Sequence, residues 1–554
     1  MNKDNNWKKE KISVKCICKN YIWEGTYEEY ENNKEKYKNC PVCGYTSFYS
    51  EIENIKEKEK FKNSIKKKIE NKEKIEAIYK QTLENIKEEV MTDLLLKKED
   101  DASEKIAIYI ENNYFIKSTR DDLKSEIWFY SGGVYKPNGE TRIQEITRQI
   151  LGKVYTPQRV NKVIAKISAD TKINVDKFFN NDNMDEIPVK NGILNLNTLE
   201  LNGFTPQKIF FNKINAEYNP EAKCPNISKF FNDILKEQDD YLVIEELFGY
   251  CLHKDHFIEK AVMMVGDGRN GKGKCISLIK KLLGSENCCS VTLSQLTPQS
   301  TSVCELHGKL ANLAGDLSNT SLKDTGLFKE ITGRDMVGAK RKYLTDLFFV
   351  NYSKQIFACN QLPKVYDESD GFWERWILLE FPYKFIPKSE YDKLDEKSKS
   401  KCKIRDVDII QNITTDEEMS GLLNLAIEGL NRLKKNKDFS YTKGTKAIKD
   451  TWIRRSDSFH AFCIDNIKED YEGYVPKKMI RKLFSDYCKQ HKIKGASDKA
   501  IKSRLEDLYG ATDEQIDLRI YGYGNWESCW SGIKIKNGVT FKKDEDTFVT
   551  SEDW

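Results

Sequence analysis

The sequence is short of long apolar runs, of a surplus of either charge, and of some residues its motifs would ordinarily carry. No apolar run in its 554 residues approaches the ~20 that a membrane helix needs, and the opening stretch, MNKDNNWKKE, holds no apolar signal core. These two absences exclude a membrane-spanning reading and lead us to expect a cytoplasmic protein with no membrane partner. Charge of one sign is lacking too: 91 Lys and Arg stand against 87 Asp and Glu, for a net charge of +4. Binding to a polyanion therefore cannot be argued from the whole chain and requires basic residues gathered locally. Fifteen cysteines without a secretion signal point to reduced thiols and a metal site rather than a disulfide framework. With 39% hydrophobic and 32% charged residues the chain is globular, and its length implies about three to five domains.

Four of those cysteines fall in residues 1–50. Cys16 and Cys18, then Cys40 and Cys43 followed by Gly44, form two short pairs. Two such knuckles bring four thiolates to one point, the tetrahedral donor set that suits a structural Zn²⁺, and a segment this small needs metal for stability. We expect a zinc ribbon here that touches DNA or a partner protein; the residues do not choose between them. Residues 51–100 are dominated by Lys and Glu, with apolar positions at Ile55, Phe61, Ile65, Ile69, Ile75, Ile78 and Leu83 and no proline or glycine. That pattern predicts a long solvated helix, a spacer or oligomerisation strut. From Ala102 the composition becomes globular. Trp128 to Tyr135 reads as two aromatic strands around Gly132-Gly133, and Ile187 to Asn197 as another turn and strand, giving a mixed α/β domain over residues 101–220.

The most informative stretch runs from Ala261 to Lys274. The apolar run Ala261 to Val265 reads as a buried strand. Gly266, Asp267, Gly268, Arg269, Asn270, Gly271, Lys272, Gly273 and Lys274 follow, and Cys275 to Leu283 reads as an amphipathic helix. Strand, glycine-rich turn, lysine and helix are the parts of a phosphate-binding loop. The glycines let backbone N–H groups converge on an anion, the helix N-terminus adds partial positive charge, and the lysine reaches the outer phosphates. These nine residues are the candidate ATP-binding set. A Ser or Thr ordinarily follows the lysine and holds Mg²⁺. Two registers compete, Gly266 with Gly271-Lys272 followed by Gly273, and Gly268 with Gly273-Lys274 followed by Cys275, and neither supplies a hydroxyl. The first is preferred because Gly266 directly ends the strand.

Three features downstream complete an ATPase. Lys309 to Asp316 is an apolar strand ending in a carboxylate that can hold Mg²⁺ or polarise water. Lys354 to Asn360 is a strand ending in an amide that can orient the attacking water. Arg375 precedes the apolar run Ile377 to Phe381, where a guanidinium can stabilise transition-state charge. Alone, Asp316 and Arg375 are an ordinary strand-end acid and an ordinary surface cation. Their order carries the reading, and Asp316, Asn360 and Arg375 are the candidate catalytic residues.

In that order, with Phe328 to Asp335, Ala358 to Pro363 and Phe372 to Trp376, the chain resembles the superfamily 3 helicases. It is most similar to the helicase part of the phage, plasmid and poxvirus primase-helicases. The resemblance covers roughly residues 102–433. It implies an AAA-like P-loop ATPase core over residues 221–440 and a hexameric ring with ATP between subunits. It also implies an N-terminal helicase-associated domain. By it, Lys272 is similar to the Walker A lysine, Asp316 to the Walker B acid, Asn360 to the sensor asparagine, and Arg375 to the finger presented to a neighbour. The family's DNA-contacting β-hairpin falls on Lys340, Arg341 and Lys342, a basic cluster that suits single-stranded DNA in a central channel. Asp316 is followed by Leu317, whereas many members carry paired acids.

Residues 450–545 read as helices over Lys477 to His491 and Ser497 to Leu508 followed by a glycine- and aromatic-rich ribbon, a winged helix. Ser497 would cap the second helix, and its Lys499, Lys502 and Arg504 would face DNA. No Asp-x-Asp set on a strand suggests a primase centre, so priming is expected from a separate primase or polymerase. The expectation is an α/β protein that works as an ATP-dependent replicative DNA helicase of a virus, plasmid or integrated element, using ATP, Mg²⁺ and Zn²⁺. The alternative is a nucleotide-switched DNA-binding replication initiator or scaffold that does not unwind.

Overall fold

The structure is a computed structural model that describes residues 11–15, 22–26, 83–119, 125–179, 184–315, 322, 324–342, 346–367, 369–491, 495–517, 526–536 and 541–542. It is a mixed α/β protein in which the described chain divides into two compact units, residues 1–127 with 138–172, and residues 128–137 with 173–554. Among the described residues no helix is long and apolar enough to cross a membrane.

In the first unit, strands Lys11–Lys15 and Ile22–Thr26 pair antiparallel, with Lys11 opposite Thr26. Residues 83–95 are helical and end in a turn at 96–97, where Lys97 has φ +62°. Val90 and Asp93 on this helix are buried, and Lys105 on the next helix reaches Asp93 at 2.7 Å. The expected solvated strut is therefore corrected over this part: the helix breaks and packs back on its successor. Residues 51–82 lie outside the described set. Helices Glu99–Asn113, Gly139–Leu151 and Pro157–Asp170 bury Ile106, Ile110, Ile143, Ile146, Ile150, Val163 and Ile167 at helical spacing. Successive pairs Arg159–Glu99, Lys162–Asp100 and Lys166–Glu104 set two of these helices parallel and in register.

The second unit begins with the aromatic hairpin read from the sequence. Phe129 pairs with Lys136 and Ser131 with Val134, and Gly132 and Gly133 turn the chain at φ +60° and +99°, the two positive values a type I′ turn requires. Its centre is a parallel sheet, and labels start there: β1 (Ala261–Val265), α1 (Lys272–Leu283), β2 (Cys288–Cys289) and β3 (Ala311–Ala314). Then follow β4 (Met336–Ala339), β5 (Leu347–Val350), β6 (Lys354–Cys359) and β7 (Trp376–Glu380). The sheet order is β2-β3-β6-β1-β7, while β4 and β5 form a separate antiparallel hairpin. Alternate residues of β1 enter opposite cores. Val262 and Met264 pack with Leu278, Phe248 and Leu430; Ala261, Met263 and Val265 pack with Phe328, Trp376 and Trp452. Burial on both faces explains why β1 reads as an unbroken apolar run.

Helices Gln238–Tyr250 and Asp416–Asn436 cover one face and cross closely. A Cβ at Gly249 would lie 2.1 Å from Ala426 O, and one at Gly429 would lie 2.4 Å from Glu245 O. Arg432 closes the contact with Glu246, a fully buried carboxylate, at 2.6 Å.

The chain ends in a small α/β module. Helix Ser458–Asn466, strand Ile467–Pro476, helices Lys477–His491 and Asp498–Tyr509, and strands Thr512–Asp517 and Trp526–Ile535 follow in order. The last strand lies between the other two, antiparallel to both, over a core of Phe459, Phe462, Val475, Phe484, Leu505 and Trp530. Ser497 Oγ accepts from Ala500 N at 3.3 Å, the cap expected there. The strand Ile467–Pro476 was not expected; the consecutive charges Lys468, Glu469 and Asp470 break the alternation that would reveal it.

Candidate active site

The turn between β1 and α1 is built by two glycines that nothing else could replace. A Cβ at Gly266 would fall 2.0 Å from Asn270 Nδ2 and 2.5 Å from Phe381 O. Gly271 sits at φ +95° as the residue before α1, where a Cβ would meet Ile234 Cγ2 at 2.5 Å. Gly268 and Gly273 have open space around them. The tight positions thus belong to the Gly266 and Gly271-Lys272 register, and Lys274 of the other register is exposed, donating to Val407 O at 3.4 Å. Arg269 holds φ +65°, a left-handed conformation that costs a residue with a Cβ roughly 1 kcal/mol or more, and its carbonyl accepts from Phe385 N at 2.7 Å.

Lys272 opens α1 with only 7% of its surface exposed. Its ammonium donates to Gly266 O, to Asn270 Oδ1 at 3.1 Å and to Asn360 Oδ1 at 3.1 Å. Asn270 is held in turn by its amide N–H on Phe381 O at 3.3 Å. Gly266 directly follows β1 and Asn360 directly follows its neighbour β6, so a lysine, an amide and a helix N-terminus meet outside the carboxyl ends of two adjacent parallel strands. The chain runs from β1 out to the far edge at β2, returns through β3 and β6, and then passes β1 to reach β7. That reversal beside β1 is the topological switch point at which open parallel sheets bind ligands. Asp267 is part of the same turn. Asp316 lies outside the described residues; the strand before it ends at Ala314.

The structure does not bring Arg375 to this group. It precedes β7, its carbonyl accepts from Ala261 N at 2.7 Å, and so it stands at the amino end of the sheet while Lys272 stands at the carboxyl end. Its guanidinium bonds Gly371 O and Glu259 Oε2, the latter at 2.7 Å, and its Nε is buried without a partner.

Lys340, Arg341 and Lys342 directly follow β4 on its way to β5, with both lysines exposed. One face of the hairpin is apolar and exposed at Met336, Phe348 and Val350, while Val337 and Ala339 point inward. The hairpin is locked at its base. Arg334 forms a two-pronged pair with Asp255 at 2.9 and 2.6 Å, and Asn351 donates to Ile331 O at 2.7 Å. His256 lies 3.1 Å from Ser353 O, and burial drives its pKa well below the usual imidazole value, so it is neutral. Only Asn351, Tyr352 and Ser353 separate β5 from the strand that carries Asn360.

In the C-terminal module Lys499 and Lys502 are exposed on helix Asp498–Tyr509. Arg504 departs from expectation. It is 8% exposed, and its Nε and Nη2 donate to Asp457 Oδ2 at 3.1 and 2.6 Å. Its charge alone grouped it with the lysines; Lys499 and Lys502 are three apart and share a face, whereas Arg504, two beyond Lys502, turns inward to Asp457. Cys16, Cys18, Cys40 and Cys43 lie outside the described residues, and among those described no group of three or more metal-ligating side chains occurs. Sequence reading missed Glu380 and Arg455, which pair at the end of β7; they are separated by 75 positions and no spacing signal joins them.

Known proteins match parts of this chain. A family model described as "D5 N terminal like" matches residues 36–236, and a "Family of unknown function (DUF5906)" matches residues 264–375, the interval from β1 to Arg375. A protein of Acanthamoeba polyphaga mimivirus, named "Putative helicase L207/L206", is 30% identical over 175 residues, covering 30% of this chain. That match covers 18% of the viral protein, so the chain spans less than a fifth of that relative's length. Among solved structures, the A form apo structure of the NrS-1 C-terminal region covers 77% of this chain and 98% of its own, at 13% identity and a TM-score of 0.37. A further apo structure of that region has the same coverage and identity at 0.36, and likeness at this level carries no argument about fold. Over the matched segment, then, the chain is related to a viral protein named as a helicase.

Proposed function

We propose that the protein is an ATP-dependent replicative DNA helicase of the superfamily 3 kind, encoded by a virus, plasmid or integrated element. It works as a homo-hexameric ring around single-stranded DNA. The observation that carries this is the meeting of Gly266, Lys272 and Asn360 at the carboxyl ends of adjacent strands, with Arg375 at the opposite end. The loop N–H groups and the α1 N-terminus hold the phosphates, and Lys272 exchanges Asn360 Oδ1 for a phosphate oxygen. Asn360 is thereby freed to orient the attacking water. Arg375 serves the nucleotide of the next subunit. Lys340, Arg341 and Lys342 follow the DNA backbone. The C-terminal module acts as a winged helix, with Lys499 and Lys502 toward DNA and Arg504 holding it together. Cys16, Cys18, Cys40 and Cys43 hold Zn²⁺ in an N-terminal ribbon.

Mg²⁺ fits this site without a Walker hydroxyl. The space about Gly273 is open, since a Cβ there would meet nothing within 4 Å, and Mg²⁺ keeps most of its waters and binds through phosphates and one or two carboxylates. Asp316 supplies the carboxylate. Bound, the ion neutralises charge on the outer phosphates.

Gly273 also supports a second reading, an initiator whose nucleotide switches its conformation without turnover. DNA-stimulated ATPase, strand displacement and native mass on one preparation separate the two. A ring with stimulated turnover and unwinding is expected. ATP binding with neither turnover nor unwinding would leave the switch.

A further inference from the structure

Helix Thr445–Ser456 carries Trp452 and Arg455 three residues apart, on one face. Trp452 is fully buried, its indole N–H donates to Pro363 O at 2.8 Å, and its ring packs on Trp376 with centroids 5.0 Å apart. The helix is thereby anchored to both neighbours of β1, because Pro363 lies three residues beyond Asn360 and Trp376 begins β7. Arg455 Nη2 then reaches Glu380 Oε2 at 2.5 Å. Glu380 ends β7 in register with Val265, the residue before Gly266. Adjacent strands lie about 4.8 Å apart, so this pair stands on the rim of the Gly266–Lys272 loop.

Both partners remain open, with 41% of the Arg455 side chain and 32% of the Glu380 side chain exposed, so neither is locked in a core. The second Glu380 oxygen already has a cation, Lys443, at 3.7 Å. Burial pushes the Cys359 thiol up to about 11, and the two cations that oppose this are Lys272 and Arg455, so both bear on the end of β6.

We propose that Arg455 is a phosphate-binding residue of its own subunit. It leaves Glu380 and takes a phosphate oxygen of a nucleoside triphosphate seated on the Gly266–Lys272 loop, while Lys443 keeps Glu380 covered. The inference rests on the loop being a nucleotide site. A guanidinium suits the task because it is always charged and grips phosphate with a fork of donors.

Equilibrium binding of a fluorescent ATP analogue with Mg²⁺ to the full chain tests it, with melting curves to verify folding. Arg455→Ala is expected to weaken binding about tenfold or more, the loss of a charged hydrogen bond. Glu380→Gln is expected to bind as wild type or tighter, and the double variant to stay as weak as Arg455→Ala. Recovery of wild-type affinity in the double variant would overturn the proposal, since Arg455 would then only cover the Glu380 charge. Unchanged affinity in a folded Arg455→Ala would do the same. Lys272→Ala tests the underlying reading separately: wild-type binding by that variant would refute the loop as the site, whatever Arg455 does.

Discussion

The position of Arg375 makes a quantitative demand on assembly. It stands at the amino end of β1 and β7, and Lys272 begins the helix beyond the carboxyl end of β1. Five strand residues at about 3.3 Å each put roughly 16 Å between those ends, more than an arginine side chain spans. If turnover needs both groups, they come from different subunits. Lys272→Ala and Arg375→Ala should each lower ATPase by about 10³-fold or more. In a head-to-tail ring every interface joins one loop to one finger, so random 1:1 co-assembly of the two variants makes about one interface in four intact. Monomers mixed before assembly should therefore regain up to about a quarter of wild-type turnover, if interfaces act independently. Phosphate release with single-stranded DNA reads the turnover, and native mass spectrometry verifies mixed rings. Mixed rings no more active than either parent would refute action between subunits, as would full turnover by Arg375→Ala alone.

Other positions separate structural from functional cations. Arg504→Ala strands the Asp457 carboxylate, buried and still touched by Lys364 at 3.2 Å, and should cost about 3 kcal/mol of stability. Lys502→Ala should leave melting unchanged and weaken DNA binding; the reverse pattern would return Arg504 to the DNA face. Lys354 is 1% exposed, donates to Asp255 O and Tyr352 O at 2.9 Å each, and burial pushes its pKa down to about 7. Its folded value lies below its unfolded one, so its cost is greatest at and below pH 7 and is relieved as pH rises toward 10.5. Lys354→Met should raise the melting temperature at pH 7, with the gain shrinking as pH rises; a gain independent of pH would assign the effect to packing. Gly273→Ser should fold normally, since its Cβ meets nothing, and should keep or raise ATPase; a destabilised protein would refute the open space. Removing zinc with a chelator, or Cys40→Ser, should release one Zn²⁺ per chain, read by metal analysis.

Local pattern carried far where burial is symmetrical. Strands β1 and β7 are buried on both faces, so Ala261–Val265 and the run from Ile377 read directly as buried strands. Gly266 and Gly271 were legible because the turn admits no Cβ, and Ser497 because a helix start needs an oxygen. Elsewhere the same reasoning failed for stated causes. The charged stretch ending near residue 100 looks solvated, yet Val90 and Asp93 are buried because the chain turns back at Lys97. Strand Ile467–Pro476 opens on the consecutive charges Lys468, Glu469 and Asp470, which show no strand period, and only its pairing with Trp526–Ile535 organises it.

What the chain determined by itself was the order of its chemistry: a loop that can hold phosphate, a basic hairpin, an amide and an arginine, each attached to its own strand. Backbone sterics and strand burial act over a few residues, so they can be read along the chain. Which of these groups meet was decided only by the sheet. The order β2-β3-β6-β1-β7 sets Asn360 beside Lys272, 88 positions away, and the parallel run of β7 leaves Arg375 at the opposite, amino end of the sheet. The partners of charged side chains were decided there too, because Arg504 and Asp457, or Arg455 and Glu380, find each other through space, and no periodicity along a chain encodes a distance across it.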